Sequence, residues 1–450
     1  MKLTIGKSTA SFIYLILFCA ALAISTASGV SDRYPEIIFF VYLAGTLLFL
    51  LFISRGDFKT TNDKLIFWGA TAVKIAYALY RFPISNIAYP HLSGDAGGFW
   101  RTAVQYYGGD FDRVYTTYPY VLNFEFHIFG KNVLCCCLTN IVLSMLMVLL
   151  VIKVLNKFNI YGNGRFFATF ISALLVYGIQ VSNSILRESI YFAFVTASFY
   201  MYIEYIGSKR QSRLYLALLF MIPVLILHIG YFPVAAVYIF DVFSHEKVRT
   251  NREFANRAII IAVFVVFVVF ASRLSSTDYV TKGRGIEGII SRIVGANSDE
   301  FMGEAGSRYL AGLKITSIPT FILYSPIKFI YYMFSPLPTN WRGLTDILAF
   351  LLDGCVHLAC LLTSIKCLNK LKRENSDGRH DADIRILRVG FWSVVLCGFV
   401  FGLGTATAGT AIRHRDVMIG VESLLIGISA YYLKKSVPVA TVQADALRCD

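Results

Sequence analysis

Three short stretches of this chain carry residues whose types and spacing suit chemistry. The first, Ser93-Gly94-Asp95-Ala96-Gly97-Gly98-Phe99-Trp100-Arg101, sets one carboxylate among glycines and follows it with two aromatic side chains. A poorly solvated carboxylate gains proton affinity and can serve as a general base, and aromatic faces stack on sugar rings. The same residues also spell a glycine-rich turn with aspartate in its ordinary turn role, and the sequence leaves both readings open. Asp110, Asp112, Tyr115, Tyr118 and Tyr120 follow in the same segment. The second stretch, Leu186-Arg187-Glu188-Ser189, places an arginine and a glutamate side by side between two apolar blocks. Charges at membrane depth are costly unless paired or functional, so Arg187 is a candidate phosphate ligand, with a snorkelling interfacial pair as the plain alternative. His228, in Leu227-His228-Ile229-Gly230-Tyr231, is expected at the level of Arg187, either in the site or as a structural histidine.

The third stretch runs from Thr405 to Asp416 and ends in Arg413, His414 and Arg415 after a run of small residues. Small residues let backbone and guanidinium groups approach a ligand closely, and arginine grips phosphate through two parallel N–H bonds. This is the strongest anion-site candidate in the chain. Cys355, His357 and Cys360 cannot all face one ion on a helix without a fourth partner, so no metal is expected there. No phosphate loop or dinucleotide fingerprint occurs, Gly283-Arg284-Gly285 lacking the required context, and no cofactor is expected.

The elements that must position these residues are membrane helices. A mean hydropathy of +0.61 over 450 residues, 56% of them hydrophobic and only 16% charged, excludes an ordinary soluble chain. The net charge of +14 does not make a nucleic-acid partner, because Lys and Arg sit at the ends of apolar blocks and form no stripe of their own. Most of the nine cysteines lie inside those blocks as small hydrophobes, so no disulfide framework is implied.

The expected fold is all-α, a polytopic transmembrane bundle of about twelve spans, each near the roughly 20 residues that a crossing requires. Spans are read at Ser11 to Ala27, Ile37 to Ile53, Leu65 to Ala78, Val133 to Val154, Phe166 to Val181 and Ile190 to Ile206. The small-residue steps near Ala23 and Ala27 also fit a signal peptide, but an uncleaved first span is preferred. Pro223, Gly230 and Pro233 interrupt the long block Leu214 to Phe243, which is read as two short helices meeting near His228. Further spans are Ala258 to Ala271, Asp346 to Ile365, Ile386 to Gly402 and Val417 to Tyr432, with Thr316 to Phe334 as an in-plane or re-entrant helix on the outer face. The competing solution makes Leu214 to Phe243 one span and Thr316 to Phe334 a true crossing. The basic connectors Arg55/Lys59/Lys64, Lys153/Lys157/Arg165 and Lys209/Arg210/Arg213 are read as cytoplasmic. Residues 1–435 form a single membrane domain with outer loops at 81–131, 272–314, 335–343 and 403–416, and 436–450 form a cytoplasmic tail.

Taken in order, several motifs resemble the integral-membrane glycosyltransferases of the C superfamily and their bacterial relatives in surface-polysaccharide assembly, including Wzy-type polymerases. These are Gly94-Asp95-Ala96, Tyr118-Pro119, Leu186-Arg187-Glu188, the segment Ser335-Pro336-Leu337-Pro338-Thr339-Asn340-Trp341 after a proline-containing apolar helix, and Gly409-Thr410-Ala411-Ile412-Arg413-His414-Arg415. The resemblance spans residues 90–430. It implies an undecaprenyl-phosphate-linked saccharide donor that enters from the membrane lipid, a glycan or lipid-linked acceptor, and transfer on the periplasmic side of the bacterial inner membrane. Two extra spans precede the acidic loop here, and the paired-acid motif of such transferases is reduced to a lone Asp95.

On that reading Arg413 and Arg415 stabilise the departing phosphate, Asp95 accepts the acceptor's proton, and Arg187 shares the phosphate. Phe99, Trp100 and Trp341 line the sugar site, His228 and His414 sit beside the phosphate ligands, and Glu188 is the reserve base. The rival from another class is a transporter or flippase of lipid-linked sugars. Such proteins carry midplane charges and often internal repeats, whereas the sequence offers one clear charge within a span, Lys74, and no repeat.

Overall fold

A computed structural model describes residues 7–111, 117–245, 308–310, 313, 318–375 and 378–434, with isolated positions between 262 and 269. The expected span Ala258 to Ala271 and loop 272–314 lie almost wholly outside the described residues, as do Asp112, Tyr115, Gly283-Arg284-Gly285 and the tail 436–450.

Among the described residues the chain is helical. Helices α1 (Lys7–Ala27), α2 (Val30–Arg33), α3 (Pro35–Ser54) and α4 (Thr61–Arg81) open it. Pro35 starts α3 at the first helical position, where its missing N–H costs nothing. A capping box starts α4, with the Thr60 hydroxyl on the Asp63 N–H and the Asp63 carboxylate on the Thr60 N–H. Next come α5 (Gly94–Tyr107), α6 (Tyr118–Phe129), α7 (Val133–Lys157), α8 (Asn163–Leu174), α9 (Val176–Ser182) and α10 (Glu188–Ser208). The remainder is α11 (Gln211–Leu227), α12 (Phe232–His245), α13 (Ile318–Phe334), α14 (Leu344–Ala349), α15 (Cys355–Glu374), α16 (Asp381–Gly404), α17 (Ala408–Arg415) and α18 (Ile419–Lys434). A π-helical turn, Phe350–Gly354, joins α14 to α15 without a break.

Every span expected within the described residues lies on helix, although Phe166 to Val181 is shared by α8 and α9, Asp346 to Ile365 by α14, the π turn and α15, and Val417 to Tyr432 begins in a 3₁₀ turn. Among the described residues six stretches are long and apolar enough to cross a membrane: Pro35–Ser54, Val133–Lys157, Asn163–Ser182, Leu344–Glu374, Asp381–Gly404 and Ala408–Lys434. The others are shorter or carry more polar residues. Large apolar side chains such as Ile24, Phe40, Leu65, Leu219, Leu323 and Trp392 face outward, while Asp63, Lys74, Arg165, Glu188, His357 and Arg415 are buried. That inversion suits a hydrocarbon surround, where the polar groups must find partners inside the protein.

The long block 214–243 does divide at His228, which is extended (φ −159°, ψ 106°) between α11 and a short 3₁₀ turn. The His228 Nδ1 accepts the Gly230 N–H at 3.1 Å and so caps the break. Pro223, expected to help break this block, instead lies inside α11. The last turns of α13 pack antiparallel on the last turns of α16, Phe329 stacking on Phe399 at 4.4 Å and Lys328 donating to the Leu403 carbonyl at 3.0 Å. After Phe334 the chain reverses through Ser335–Asn340 into α14.

Two expected outer loops contain helix. Residues 81–131 hold α5 and α6, an amphipathic pair that buries Phe99 against Tyr118 and Trp100 against Phe126. Residues 403–416 hold α17, which leads through a 3₁₀ turn into α18. Glycines let α18 pack with backbone almost touching its neighbours. A Cβ at Gly427 would lie 2.8 Å from the Ala168 Cβ, one at Gly164 would lie 2.7 Å from the Gly427 carbonyl oxygen, and one at Gly420 would overlap the Thr196 hydroxyl. In lipid, where apolar burial gives helices little reason to associate, such small-residue contacts hold a bundle together.

Candidate functional site

Residues from three distant segments meet where α5, the α9–α10 turn and α17 converge. Asp95, in the first turn of α5, lies 2.5 Å from Arg413 Nη1 of α17, and Glu188, the first residue of α10, lies 2.6 Å from Arg413 Nε. Arg413 thus stands between two carboxylates. Their settings differ: the Asp95 side chain is 47% exposed, the Glu188 side chain 0%. Both Glu188 oxygens lack an aligned hydrogen-bond donor, so the contact with Arg413 is an ion pair out of line for a hydrogen bond.

A cavity of about 270 Å³ opens on this group, lined by Arg81, Ser93, Asp95, Tyr177, Ser184, Gly409, Thr410 and Arg413 among others. Arg81, from the end of α4, donates to the Ser184 hydroxyl (2.6 Å) and the Asn183 carbonyl (3.1 Å). Asn140 of α7 donates to the Ser184 carbonyl at 2.8 Å. Together these bonds fix the turn that presents Leu186, Arg187 and Glu188. At Gly97 a Cβ would lie 2.6 Å from the Leu92 carbonyl oxygen, so α5 rests with its first turn pressed against the chain leading into it.

The other residues singled out in the sequence fall around this centre. Arg187 donates to the Leu227 carbonyl at 2.9 Å and its guanidinium lies 5.9 Å from the Phe99 ring centre. The His228 and His414 rings pack together 5.1 Å apart, each also against Phe401, and the Tyr231 hydroxyl donates to the His414 carbonyl at 3.0 Å. None of Arg187, His228 and His414 lines the cavity; they pack behind it. Phe99 and Trp100 are 2% and 7% exposed, and their rings are spent on the α5–α6 contact rather than on a ligand surface. Trp341 lines a separate cavity of about 220 Å³ with Tyr309, Ser335, Asn340, Arg342 and Ala408, its indole N–H on the Pro336 carbonyl at 3.0 Å. Both cavities border the start of α17.

Arg415 departs furthest from expectation. Expected to face a ligand beside Arg413, it is buried, with Nε on Asp353 Oδ2 at 3.0 Å, Nη2 on the same oxygen, and Nη1 on the Tyr332 carbonyl at 3.1 Å. Residues two apart on a helix point about 200° away from each other, so α17 aims one arginine at the cavity and the other into the protein. Next to Arg415 lies a buried group of Asp353, His357, Asp416 and Glu422, whose acids Asp353 and Glu422 sequence reasoning missed. His357 reaches Glu422 through Nδ1 (2.5 Å) and Asp416 through Nε2 (3.2 Å). The expectation of one clear intraspan charge is therefore corrected, since Lys74, bonded to Ser144 at 2.5 Å, is joined by Asp353 and Glu422 within apolar helices. Arg81, Tyr177 and Ser184 were also missed; an arginine closing an apolar helix was the available signal.

No protein-family model, curated protein or solved structure matches this chain.

Proposed function

We propose that this protein is a membrane glycosyltransferase, taking a sugar from a polyprenyl-phosphate-linked donor and joining it to a hydroxyl of a glycan or lipid-linked acceptor on the outer side of the cytoplasmic membrane. The observation that carries this reading is the meeting of Asp95 and Arg413 at one cavity, with Glu188 buried against Arg413, within a bundle of membrane-type helices. In the displacement the acceptor oxygen forms a bond to the anomeric carbon. The bond from that carbon to phosphate oxygen breaks, and the polyprenyl phosphate leaves with the electron pair. Arg413, with Arg81 on the same cavity, meets the charge growing on the phosphate. Asp95, the more exposed carboxylate, takes the hydroxyl proton. Glu188 holds Arg413 from behind. Joining whole repeat units, as a Wzy-type polymerase does, uses the same displacement with a larger acceptor.

A second reading, a transporter or flippase of lipid-linked sugars, is favoured by one observation, the buried Asp353–His357–Asp416–Glu422 group, because intramembrane chains of such residues serve ion coupling. Purified protein decides between them. Wild type given donor and acceptor forms covalent product if it is a transferase and none if it is a transporter. Asp95→Asn keeps size and hydrogen bonding but loses proton acceptance, so it is expected to bind donor normally while turnover drops by about 10²–10⁴. Full turnover by this variant would remove Asp95 from the mechanism.

The assignment also needs the two halves of the site on one side of the membrane. Single cysteines at Tyr89 and Gly409, both exposed, are expected to react with an impermeant maleimide in intact cells, and one at Lys372 only after the membrane is opened. Labelling of Lys372→Cys alone would reverse the orientation and reject an outward-facing site.

A further inference from the structure

We propose that Asp353, His357 and Asp416 bind one divalent metal ion of the Zn²⁺ or Mn²⁺ kind inside the helix bundle. One nitrogen and one oxygen from each of two carboxylates lie within 4.8 Å of one another, and all three residues are buried. The imidazole is the informative member. Its Nδ1 is 2.5 Å from Glu422 Oε2, and an ionised carboxylate only accepts, so Nδ1 carries the hydrogen. Nε2 then turns toward Asp416 Oδ1 at 3.2 Å and Asp353 Oδ1 at 3.6 Å. In a neutral ring that nitrogen is a lone pair facing two anionic oxygens. A cation between them converts three repelling donors into three ligands.

Two further observations point to a ligand. Asp353 Oδ1, aimed at the imidazole, has no hydrogen-bond partner, and neither has Asp416 Oδ2, although Asp353 is 3% and Asp416 0% exposed. Buried carboxylate oxygens left unbonded are costly, and native proteins rarely leave them so. With the imidazole neutral and all three acids ionised, the charges do not cancel. Three carboxylates, Asp353, Asp416 and Glu422, face the single guanidinium of Arg415, which takes the other oxygen of Asp353. A dication beside a neutral imidazole balances them. The carboxylate behind the ring is the arrangement that orients metal-bound histidines elsewhere. Mixed nitrogen and carboxylate donors suit Zn²⁺ or Mn²⁺ better than Ca²⁺ or Mg²⁺.

The inference does not depend on the transfer reading. The ion's expected work is structural: it would tie the π-helical turn before α15 to the 3₁₀ turn after α17, and so seat Arg413, three residues from Asp416. Protein purified in detergent, stripped with chelator and dialysed against Zn²⁺ or Mn²⁺, is expected to retain about one equivalent of one of them per chain by elemental analysis. Its thermal midpoint is expected to fall on stripping and return on reloading. Asp416→Asn, which keeps the shape of the side chain, and His357→Gln are each expected to lower retention at least about tenfold, while Glu204→Gln, remote from the cluster, retains the wild-type amount. Substoichiometric uptake of both ions by folded wild-type protein overturns the proposal and leaves an imidazolium bridging the carboxylates. Undiminished retention by folded Asp416→Asn and His357→Gln overturns it too. If neither variant folds, uptake and thermal shift of the wild type decide alone.

Discussion

If the proposed transfer reading holds, cells carrying Arg413→Lys are expected to make surface glycan at about one-hundredth of the wild-type rate or less, with the protein still accumulating in the membrane. Arg413 addresses two carboxylates from different atoms of one rigid plane, Nη1 toward Asp95 and Nε toward Glu188. A lysine offers one compact ammonium on a flexible stem and cannot hold both contacts while meeting a phosphate. Because it keeps the positive charge beside buried Glu188, the fold survives and the loss falls on turnover. Arg413→Leu removes that charge too; stranding a buried carboxylate costs about 3–5 kcal/mol, so this variant is expected to be scarce as well as inactive. Glycan measured per unit of membrane protein separates the effects. Wild-type output from Arg413→Lys would rule out a role for the guanidinium geometry.

Asp63→Ala is expected to lose about 3–5 kcal/mol of stability, far from the candidate site. Arg165 and Asp63 are 2% and 1% exposed and joined by a fork, Nε to Oδ1 (3.0 Å) and Nη2 to Oδ2 (2.7 Å). Arg165 also bonds the Ile160 carbonyl and the Asn156 side chain, while Asp63 completes the cap of α4. Truncating the acid therefore strands a buried cation and uncaps a helix, the cap adding roughly 1 kcal/mol. The double variant Asp63→Leu/Arg165→Met should recover most of the loss, since replacing both members of a buried pair by apolar groups of similar volume is often neutral. Denaturation in mixed detergent micelles measures both. A double variant no more stable than the single would show that the pair contributes through packing rather than charge.

The helices were legible because apolar length and breaker residues act locally: the division at His228 follows from Gly230 and Pro233, which a reader of the sequence can see. Arg187 and Glu188 were legible as candidates from charge placed where charge is costly, Asp95 from its glycine and aromatic neighbours, and Arg413 from its basic cluster after a run of small residues. Their pairing was not, since Asp95 and Arg413 are 318 residues apart. The α5 helix was hidden by its glycines, although Ala96, Phe99, Trp100, Ala103 and Tyr106 already recur at helical spacing along one face. Treating Arg413 and Arg415 as one ligand overlooked the same periodicity in α17. Asp353 and Glu422 escaped because a single acid barely alters the mean hydropathy of a 20-residue window, and the partners that neutralise it come from other helices.

The close glycine packing of α18 has a bearing on the order in which the molecule can be assembled. Of the apolar stretch within Ala408–Lys434, 78% is enclosed by protein, against 33% for Leu344–Glu374. Its neighbours α7, α8, α10, α15 and α16 all precede it in the chain, so the ribosome delivers the central helix after the walls that surround it. Until then Glu188 lacks Arg413 and His357 lacks Glu422, so the place that α18 fills is expected to be a slot lined by polar groups short of these partners. A nascent chain stalled before Ala408 would expose that slot to membrane quality control. Glycines at 420 and 427 present no side chain to obstruct the late-coming helix as it slides home.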